Sequence, residues 1–197
     1  MNRIAVINFL DSERTLLAQA LSCASGYPLV QNRSMYEWRK LFKIDESKMT
    51  RFENQFLLIS ASITERIKHE VAFSDFISDG AVFSDALSLQ SIMNEKSVEW
   101  QKAKKVEMVK NLLYITGKYA AHQYNPVIHI RNNASEDFDE MSIGFYEKYS
   151  IAYKMYYSNN DLKDILETII QETKIPVLLL EEYAIYKAKR LINFTNF

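Results

Sequence analysis

An apolar run that leads into an amphipathic helix near the N-terminus constrains the fold of this chain most strongly. The run from Ile4 to Ile7 is apolar throughout, which is typical of a central strand in a parallel sheet because both of its faces are covered. Mostly polar residues then precede a helical stripe formed by Leu16, Leu17, Ala20 and Leu21. The pattern predicts a strand, a turn and a helix.

Further apolar runs begin near residues 28, 74, 126 and 151 and alternate with helical patterns. Helices are predicted at 34–43, 48–72, 81–95 and 97–121, and another follows its cap candidates Asn159, Asn160 and Asp161. Residues 175–193 fit either a strand at IPVLLLE or a helix at EEYAIYKAKRLI, and we adopt a C-terminal helix. Alternating strands and helices favour a parallel sheet. We therefore expect a single α/β domain over residues 1–197: a parallel five-stranded sheet with helices on both faces and the first strand at its centre.

Composition excludes several classes of protein. The chain has 197 residues, of which 48% are apolar and 25% charged, and this suits one compact domain with a sizeable core. The net charge of -1 and the pI near 6.3 argue against duplex nucleic acid and membrane surfaces as partners. Cys23 has no second cysteine to pair with, and the three histidines are too scattered for zinc. With no secretory or membrane-spanning pattern in the sequence, we expect a cytoplasmic protein.

The turn after the first strand is where many α/β folds bind phosphate, because the next helix points its free N–H groups at that loop. The phosphate-loop pattern is G-x-x-x-x-G-K-[ST], and residues 8–15 align with it. Thr15 matches and Arg14 keeps the positive charge, but Asn8 and Glu13 stand where the glycines belong. The first glycine-poor turn is therefore a degenerate phosphate loop at best.

The carboxylates of this turn oppose phosphate. Glu13 and Asp11 would repel a polyphosphate at a cost of roughly one to a few kcal/mol. An ordinary strand-to-helix connection, capped by Asp11 or Ser12, remains the alternative. A loop filled by Phe9 or Leu10 would exclude a triphosphate.

The order of these elements resembles the nucleoside and nucleotide kinase branch of the P-loop fold, including nicotinamide-riboside-kinase-like and thymidylate-kinase-like proteins. The resemblance rests on the order of segments over most of the chain. These segments are RIAVINFLDSERTLLAQAL, GYPLVQNR, RFENQ, FISDGAVFSDAL, VIHIRNN and YSIAYKMYYSNNDLKDILETI.

The resemblance implies roles for residues at matching positions. Ser12, Arg14 and Thr15 would bind phosphate, Arg33 and Gln55 would lie on the acceptor side, and Asp79 would be the catalytic acid that holds magnesium together with Thr15. The family places an arginine after that acid, but this chain has Gly80. The family also brings arginines over the phosphoryl group from a lid.

The segment that corresponds to the lid, residues 132–147, contains no arginine or lysine. It is acidic and predicted to be mobile, with carboxylates at Glu136, Asp137, Asp139, Glu140 and Glu147. An arginine at such a position contributes about 10³-fold or more to phosphoryl transfer. The phosphate loop, the strand-end arginine and the lid are therefore all degraded in this sequence.

Three hypotheses about function follow. The first is a degenerate nucleotide-kinase-fold protein without efficient phosphoryl transfer, which binds a nucleotide weakly or binds a protein through the same cleft. The second is an active kinase that uses ATP and magnesium, with Arg14 in place of the lysine. The third is an assembly subunit, because 12 tyrosines, 11 phenylalanines and 2 tryptophans exceed what one core needs. The aromatic excess predicts a homodimer that forms through two helices of more than twenty residues.

Overall fold

A five-stranded sheet forms the centre of the molecule, and all of its neighbouring strands are parallel. The computed structural model describes residues 1–8, 11–95, 99–131, 136–157 and 161–195. The strands are β1 (Arg3–Ile7), β2 (Leu29–Val30), β3 (Phe76–Asp79), β4 (Val127–Arg131) and β5 (Tyr153–Tyr157). Their order, β2-β3-β1-β4-β5, places β1 in the centre. The expected parallel α/β sheet and its central first strand are confirmed.

Helices cover both faces of the sheet. They are α1 (Asp11–Ser25), α2 (Met35–Leu41), α3 (Phe52–Glu70), α4 (Ser84–Glu95), α5 (Ala103–Gln123), α6 (Glu136–Tyr149), α7 (Leu162–Thr173) and α8 (Glu181–Thr195). Buried residues of α1, α7 and α8 form one core with the sheet. Buried residues of α3, α4, α5 and α6 form the other core.

The side chains of β1 divide between these two cores. Ile4 and Val6 pack towards α1, whereas Ala5 and Ile7 pack towards α3 and α5, because successive residues of a strand point to opposite faces. All four are buried. An uninterrupted apolar run at the centre of a parallel sheet is thereby explained.

The third strand differs from its sequence interpretation. An alternating strand over residues 73–80 was expected, but β3 spans only Phe76–Asp79 and all four of its residues are buried. Phe76 packs into the core on one face of the sheet and Ile77 into the core on the other, so neither face is open to solvent. Alternation is a signal of one exposed face and does not apply here.

Several helix ends follow the expected chemistry. Gly26 follows α1 with a φ of +74°, the left-handed conformation that glycine adopts without strain. Asp161 caps α7 by accepting a hydrogen bond from the backbone N–H of Lys163. The other two cap candidates, residues 159 and 160, lie outside the described residues. The two long helices are slightly shorter than expected, with 19 residues in α3 and 21 in α5.

The acidic segment is largely helical, which differs from the mobile lid expected over 132–147. Residues 136–147 belong to α6, and residues 132–135 lie outside the described part of the chain. Asp139, Ser142, Phe145 and Tyr146 are buried. The amphipathic spacing of these residues packs α6 against the core, so residues 136–147 form a fixed part of the fold.

The helices that follow β1 and its neighbouring strands lie on different faces of the sheet, which makes β1 a topological switch point. The helix that follows β1 lies on one face of the sheet, whereas the helices that follow the neighbouring strands β3 and β4 lie on the other. In open parallel sheets, ligands bind at the carboxyl ends of strands next to such a switch point. Within the described residues, no helix is both long and apolar enough to cross a membrane.

Candidate functional site

A cleft of about 510 Å³ lies at the carboxyl ends of β2 and β3, beside the first turns of α1. Its volume falls within the range of small-molecule sites, roughly 300–1,000 Å³. Most of its lining is polar, in contrast to the apolar lining of many ligand pockets. The charged residues among its lining are Arg14, Arg33, Glu37, Arg66, Asp79 and Asp85.

The Asp79 carboxylate at the end of β3 is the centre of the cleft floor. It accepts a hydrogen bond from Arg14 Nε to Oδ1 at 2.6 Å, from the Thr15 hydroxyl to Oδ2 at 2.8 Å and from Gln31 Nε2 to Oδ2 at 3.4 Å. We call these four residues the Asp79 cluster. The structure therefore brings together three of the residues singled out in the sequence: Arg14, Thr15 and Asp79.

The first turn does not form an eight-residue loop. Helix α1 already begins at Asp11, so only residues 8–10 connect it to β1. Asn8 is buried, and its side-chain amide donates to Glu13 Oε2 at 2.9 Å. A phosphate cradle needs a run of backbone N–H groups in a loop, and residues 11–15 are helical instead. Phe9 and Leu10, either of which was expected to decide whether the loop is filled, lie outside the described residues.

The remaining candidate residues take different positions. Arg33 lines the cleft, pairs with Glu65 at 3.2 Å and lies 5.3 Å from the ring centre of Trp38. Ser12 is exposed in the first turn of α1 and is not part of the cleft lining. Gln55 also lies outside the lining, because its side chain donates to the backbone carbonyl of Met49 at 2.8 Å. Arg33 is therefore the one acceptor-side candidate that reaches the cleft.

Arg66 is a cleft residue that the sequence analysis missed. It is 6% exposed, and its Nη1 donates to the Ser78 hydroxyl and to the carbonyls of Asp79 and Gly80. Gly80 has a φ of +98°, and a Cβ on it would lie 3.0 Å from Arg66 Nη2. Gly80, at the position where the resemblance implies an arginine, thus leaves room for an arginine from α3.

A second polar cluster lies next to the first but is sealed from the cleft. The Glu70 carboxylate, 1% exposed, accepts hydrogen bonds from the hydroxyls of Ser78, Tyr119 and Tyr124 at 2.7 to 3.1 Å. We call these four residues the Glu70 cluster. Burial raises the pKa of Glu70, although the charge of Arg66 and the hydroxyl donors oppose that shift.

The sequence carried a signal for both missed residues. Arg66 and Glu70 continue the helical stripe that Ile59 and Ile63 begin, at three- and four-residue steps. Charged residues on the core-facing stripe of a helix are rarely buried without partners. Their position on that stripe predicts a buried polar cluster, which apolar periodicity alone does not reveal.

His129 belongs to a third buried group, on the other side of the sheet centre. Its Nε2 lies 2.8 Å from Asp139 Oδ1 and its Nδ1 lies 2.9 Å from the Tyr146 hydroxyl. An ionised carboxylate can only accept, so Nε2 donates to Asp139 and the neutral ring accepts from Tyr146. Burial lowers the pKa of His129, although Asp139 opposes that shift. This agrees with a core histidine, and neither His129 nor Asp139 lines the cleft.

The Asp79 cluster fits magnesium only in part. Thr15 and Asp79 are the residue types that hold magnesium beside a phosphate loop, but Arg14 and Thr15 already donate to the two carboxylate oxygens. The described residues contain no group of three His, Cys, Asp or Glu side chains that could hold a metal ion. A cation would have to displace Arg14 from the carboxylate.

Comparison with known proteins assigns no family. No family model matches the chain, and no curated protein matches it significantly. Any assignment of function therefore depends on the chemistry of the cleft.

Proposed function

We propose that this chain is a degenerate nucleotide-kinase-fold protein that binds a nucleotide weakly in the cleft and does not transfer phosphoryl groups efficiently. The observation that carries the proposal is the closed Asp79 cluster. The arginine and the threonine that would serve phosphate and magnesium both donate to one carboxylate. A protein segment that presents a phosphate to the same cleft would meet the same contacts.

The charge of the cleft supports weak binding. Three arginines line it and three carboxylates oppose them, so the lining has no net positive charge to attract a polyphosphate. An incoming phosphate must also compete with Asp79 for Arg14, whose side chain is 20% exposed. Charge-assisted hydrogen bonds of this length are among the stronger ones, so the competition reduces affinity.

The scaffold supports descent from a nucleotide kinase. Strand β1 is central, the cleft lies at the switch point, and the acid at the end of β3 meets the first helix. These are the positions that the resemblance implies for the residues that handle phosphate. Among the described residues of the aligned segment, 11–15 differ from a phosphate loop because they are already helical.

The Thr15 to Asp79 contact also favours a second candidate, an active nucleoside or nucleotide kinase. In P-loop enzymes a threonine and an acid of this kind hold magnesium, and here they lie 2.8 Å apart. In that case Arg14 would turn from Asp79 to the phosphates, as a guanidinium can bind them with two hydrogen bonds. Both candidates use Arg14, Thr15 and Asp79 but predict opposite effects when the acid is neutralised.

Asp79→Asn separates the two candidates by isothermal titration with ATP, with and without magnesium. The natural protein should bind ATP no more tightly than millimolar. The variant should bind about tenfold more tightly without magnesium, since it removes a repulsive charge and releases Arg14. Asp137→Asn is the matched control, because Asp137 is exposed on α6 and lies outside the cleft lining.

The opposite outcome would overturn the proposal. Micromolar binding of ATP that requires magnesium, together with release of phosphate that is lost in Asp79→Asn, would establish the active kinase. Equal affinities in the natural protein and both variants would place nucleotide binding elsewhere. Circular dichroism of Asp79→Asn checks that the fold is retained.

A further inference from the structure

Exposed apolar side chains are concentrated near the C-terminus. Within the described part of the chain, sixteen large hydrophobic residues are exposed, and six of them fall between residues 177 and 191. They are Val177, Leu178, Leu180, Tyr183, Tyr186 and Leu191. Clusters of this kind mark interaction surfaces, whereas single exposed apolar residues are ordinary.

Three of these six residues, Tyr183, Tyr186 and Leu191, lie on helix α8. Ala184 and Ala188, both fully buried, pack on one side of the helix. The opposite side carries Glu182, Tyr186 and Arg190 at four-residue steps, which form one row along a helix. The Arg190 guanidinium lies 5.8 Å from the centre of the Tyr186 ring.

The acidic and basic residues of α8 are separated along the length of the helix. The start of α8 is acidic, with Glu181 and Glu182, and its later part is basic, with Lys187, Lys189 and Arg190. Two such helices complement each other only when they run antiparallel, because parallel packing places like charges side by side. With a twofold axis beside Tyr186, Glu182 of each copy meets Arg190 of the other.

We propose that the face of α8 formed by Glu182, Tyr183, Tyr186 and Arg190 binds the same face of a second copy of this chain, antiparallel, to form a homodimer. A twofold interface requires a self-complementary surface, and this row is one. Burial of the tyrosine side chains drives association, while the exposed ion pairs mainly select the orientation.

The two longest helices offer less for a dimer. On α3, Leu57 is the one large apolar residue that is exposed, and on α5 there are two, Tyr114 and Ile115. The exposed surface of α5 also carries several lysines, including Lys104 and Lys110, which would repel their copies across a twofold axis. The predicted homodimer therefore moves from the long helices to α8.

Charge reversal tests the pairing by sedimentation equilibrium at micromolar concentrations. The natural protein should have twice the monomer mass of 23.0 kDa. Glu182→Arg and Arg190→Glu should each weaken the dimer about tenfold or more, since each change places like charges together twice. The double variant exchanges the partners, so it should recover affinity close to that of the natural protein.

Two further variants control for indirect effects. Glu182→Arg also removes an ion pair with Lys163 at 2.7 Å, so Lys163→Ala should leave the dimer intact. Tyr114→Ala on α5 should likewise have no effect. A monomer at all concentrations would overturn the proposal, and so would a double variant that fails to recover, a dimer that only Tyr114→Ala disrupts, or a monomer whose α8 binds anionic vesicles instead.

Discussion

Ser78 and Asp79 are consecutive residues of β3, yet they lead to two clusters of opposite character. Their side chains point to opposite faces of the sheet. Ser78 joins the Glu70 cluster, which is sealed beneath α3 and α5, while Asp79 joins the cluster that forms the floor of the cleft. Arg66 bonds to both residues through a single nitrogen, Nη1.

The two clusters differ in whether water or a ligand can replace one of their hydrogen-bonding side chains. Arg14 is 20% exposed, so water or a ligand can take over its contact with Asp79. Tyr124 and Glu70 are almost completely buried, so no such exchange is open to them. Loss of a buried partner costs the full desolvation of what remains, whereas loss at a surface costs little. We infer that the Glu70 cluster serves stability and the Asp79 cluster serves binding.

Glu70→Ala should have the largest effect on stability. The change takes this acceptor from the buried hydroxyls of Ser78 and Tyr124 and from the half-buried hydroxyl of Tyr119, and it removes a buried carboxylate whose charge interacts with Arg66. We therefore expect a loss of about 3–5 kcal/mol in the free energy of unfolding. Urea unfolding followed by circular dichroism measures it.

Two carboxylates provide the comparison. Asp79→Asn should cost about 1 kcal/mol or less. Glu53→Gln, at an exposed position of α3, the helix that also carries Glu70, should cost less than about 0.5 kcal/mol. If Asp79→Asn were as destabilising as Glu70→Ala, the division between a stability cluster and a binding cluster would be wrong.

Gly80→Ala should have an intermediate effect, because it acts where the two clusters meet. The left-handed φ of +98° and the 3.0 Å approach to Arg66 Nη2 predict a loss of about 1–3 kcal/mol. Gly144→Ala is a control of opposite sign, since Gly144 lies within α6 with no atom near its Cβ position. It should stabilise the protein by about 0.5–1 kcal/mol. Equal losses at both glycines would exclude a special role for position 80.

The fold followed from local patterns, and so did part of the site. The apolar run at Ile4 to Ile7 predicted a central parallel strand, because burial on both faces leaves a direct record in sequence. Arg14 and Thr15 were found by alignment with the phosphate-loop pattern, and Asp79 was implied by the resemblance to nucleotide kinases; these residues stand at the start of a helix and the end of a strand. Such positions converge by topology at one edge of a parallel sheet.

Other features depend on contacts between distant elements. The stripe on α3 predicts that Arg66 and Glu70 are buried, but it does not identify their partners. Arg66 depends on the conformation of Gly80, and Glu70 depends on hydroxyls from β3, α5 and the residue that follows α5. The mobility expected of the acidic segment was wrong for a related reason. Its acidic residues suggested solvent, but Asp139 is fully buried against His129, and composition does not reveal such a partner.

The smallest expected effect is a pH dependence that comes from the Glu70 cluster. Burial raises the pKa of Glu70 above its ordinary value of 4.5, so the native state keeps a proton that the unfolded state has lost. The stabilisation from Glu70 is therefore complete below about pH 4.5 and is lost as the pH rises through the raised pKa. The glutamine of the Glu70→Gln variant does not titrate, and the variant shares all other titratable groups with the natural protein.

Urea unfolding of both proteins between about pH 4.5 and pH 7 isolates this contribution. The free energy of unfolding of the natural protein, minus that of Glu70→Gln, should decrease with rising pH, by no more than about 1.4 kcal/mol per pH unit. A difference that rises with pH would mean that the hydroxyl donors and Arg66 outweigh burial and keep Glu70 ionised. The Glu70 cluster would then resemble the Asp79 cluster, in which donors surround a charged carboxylate.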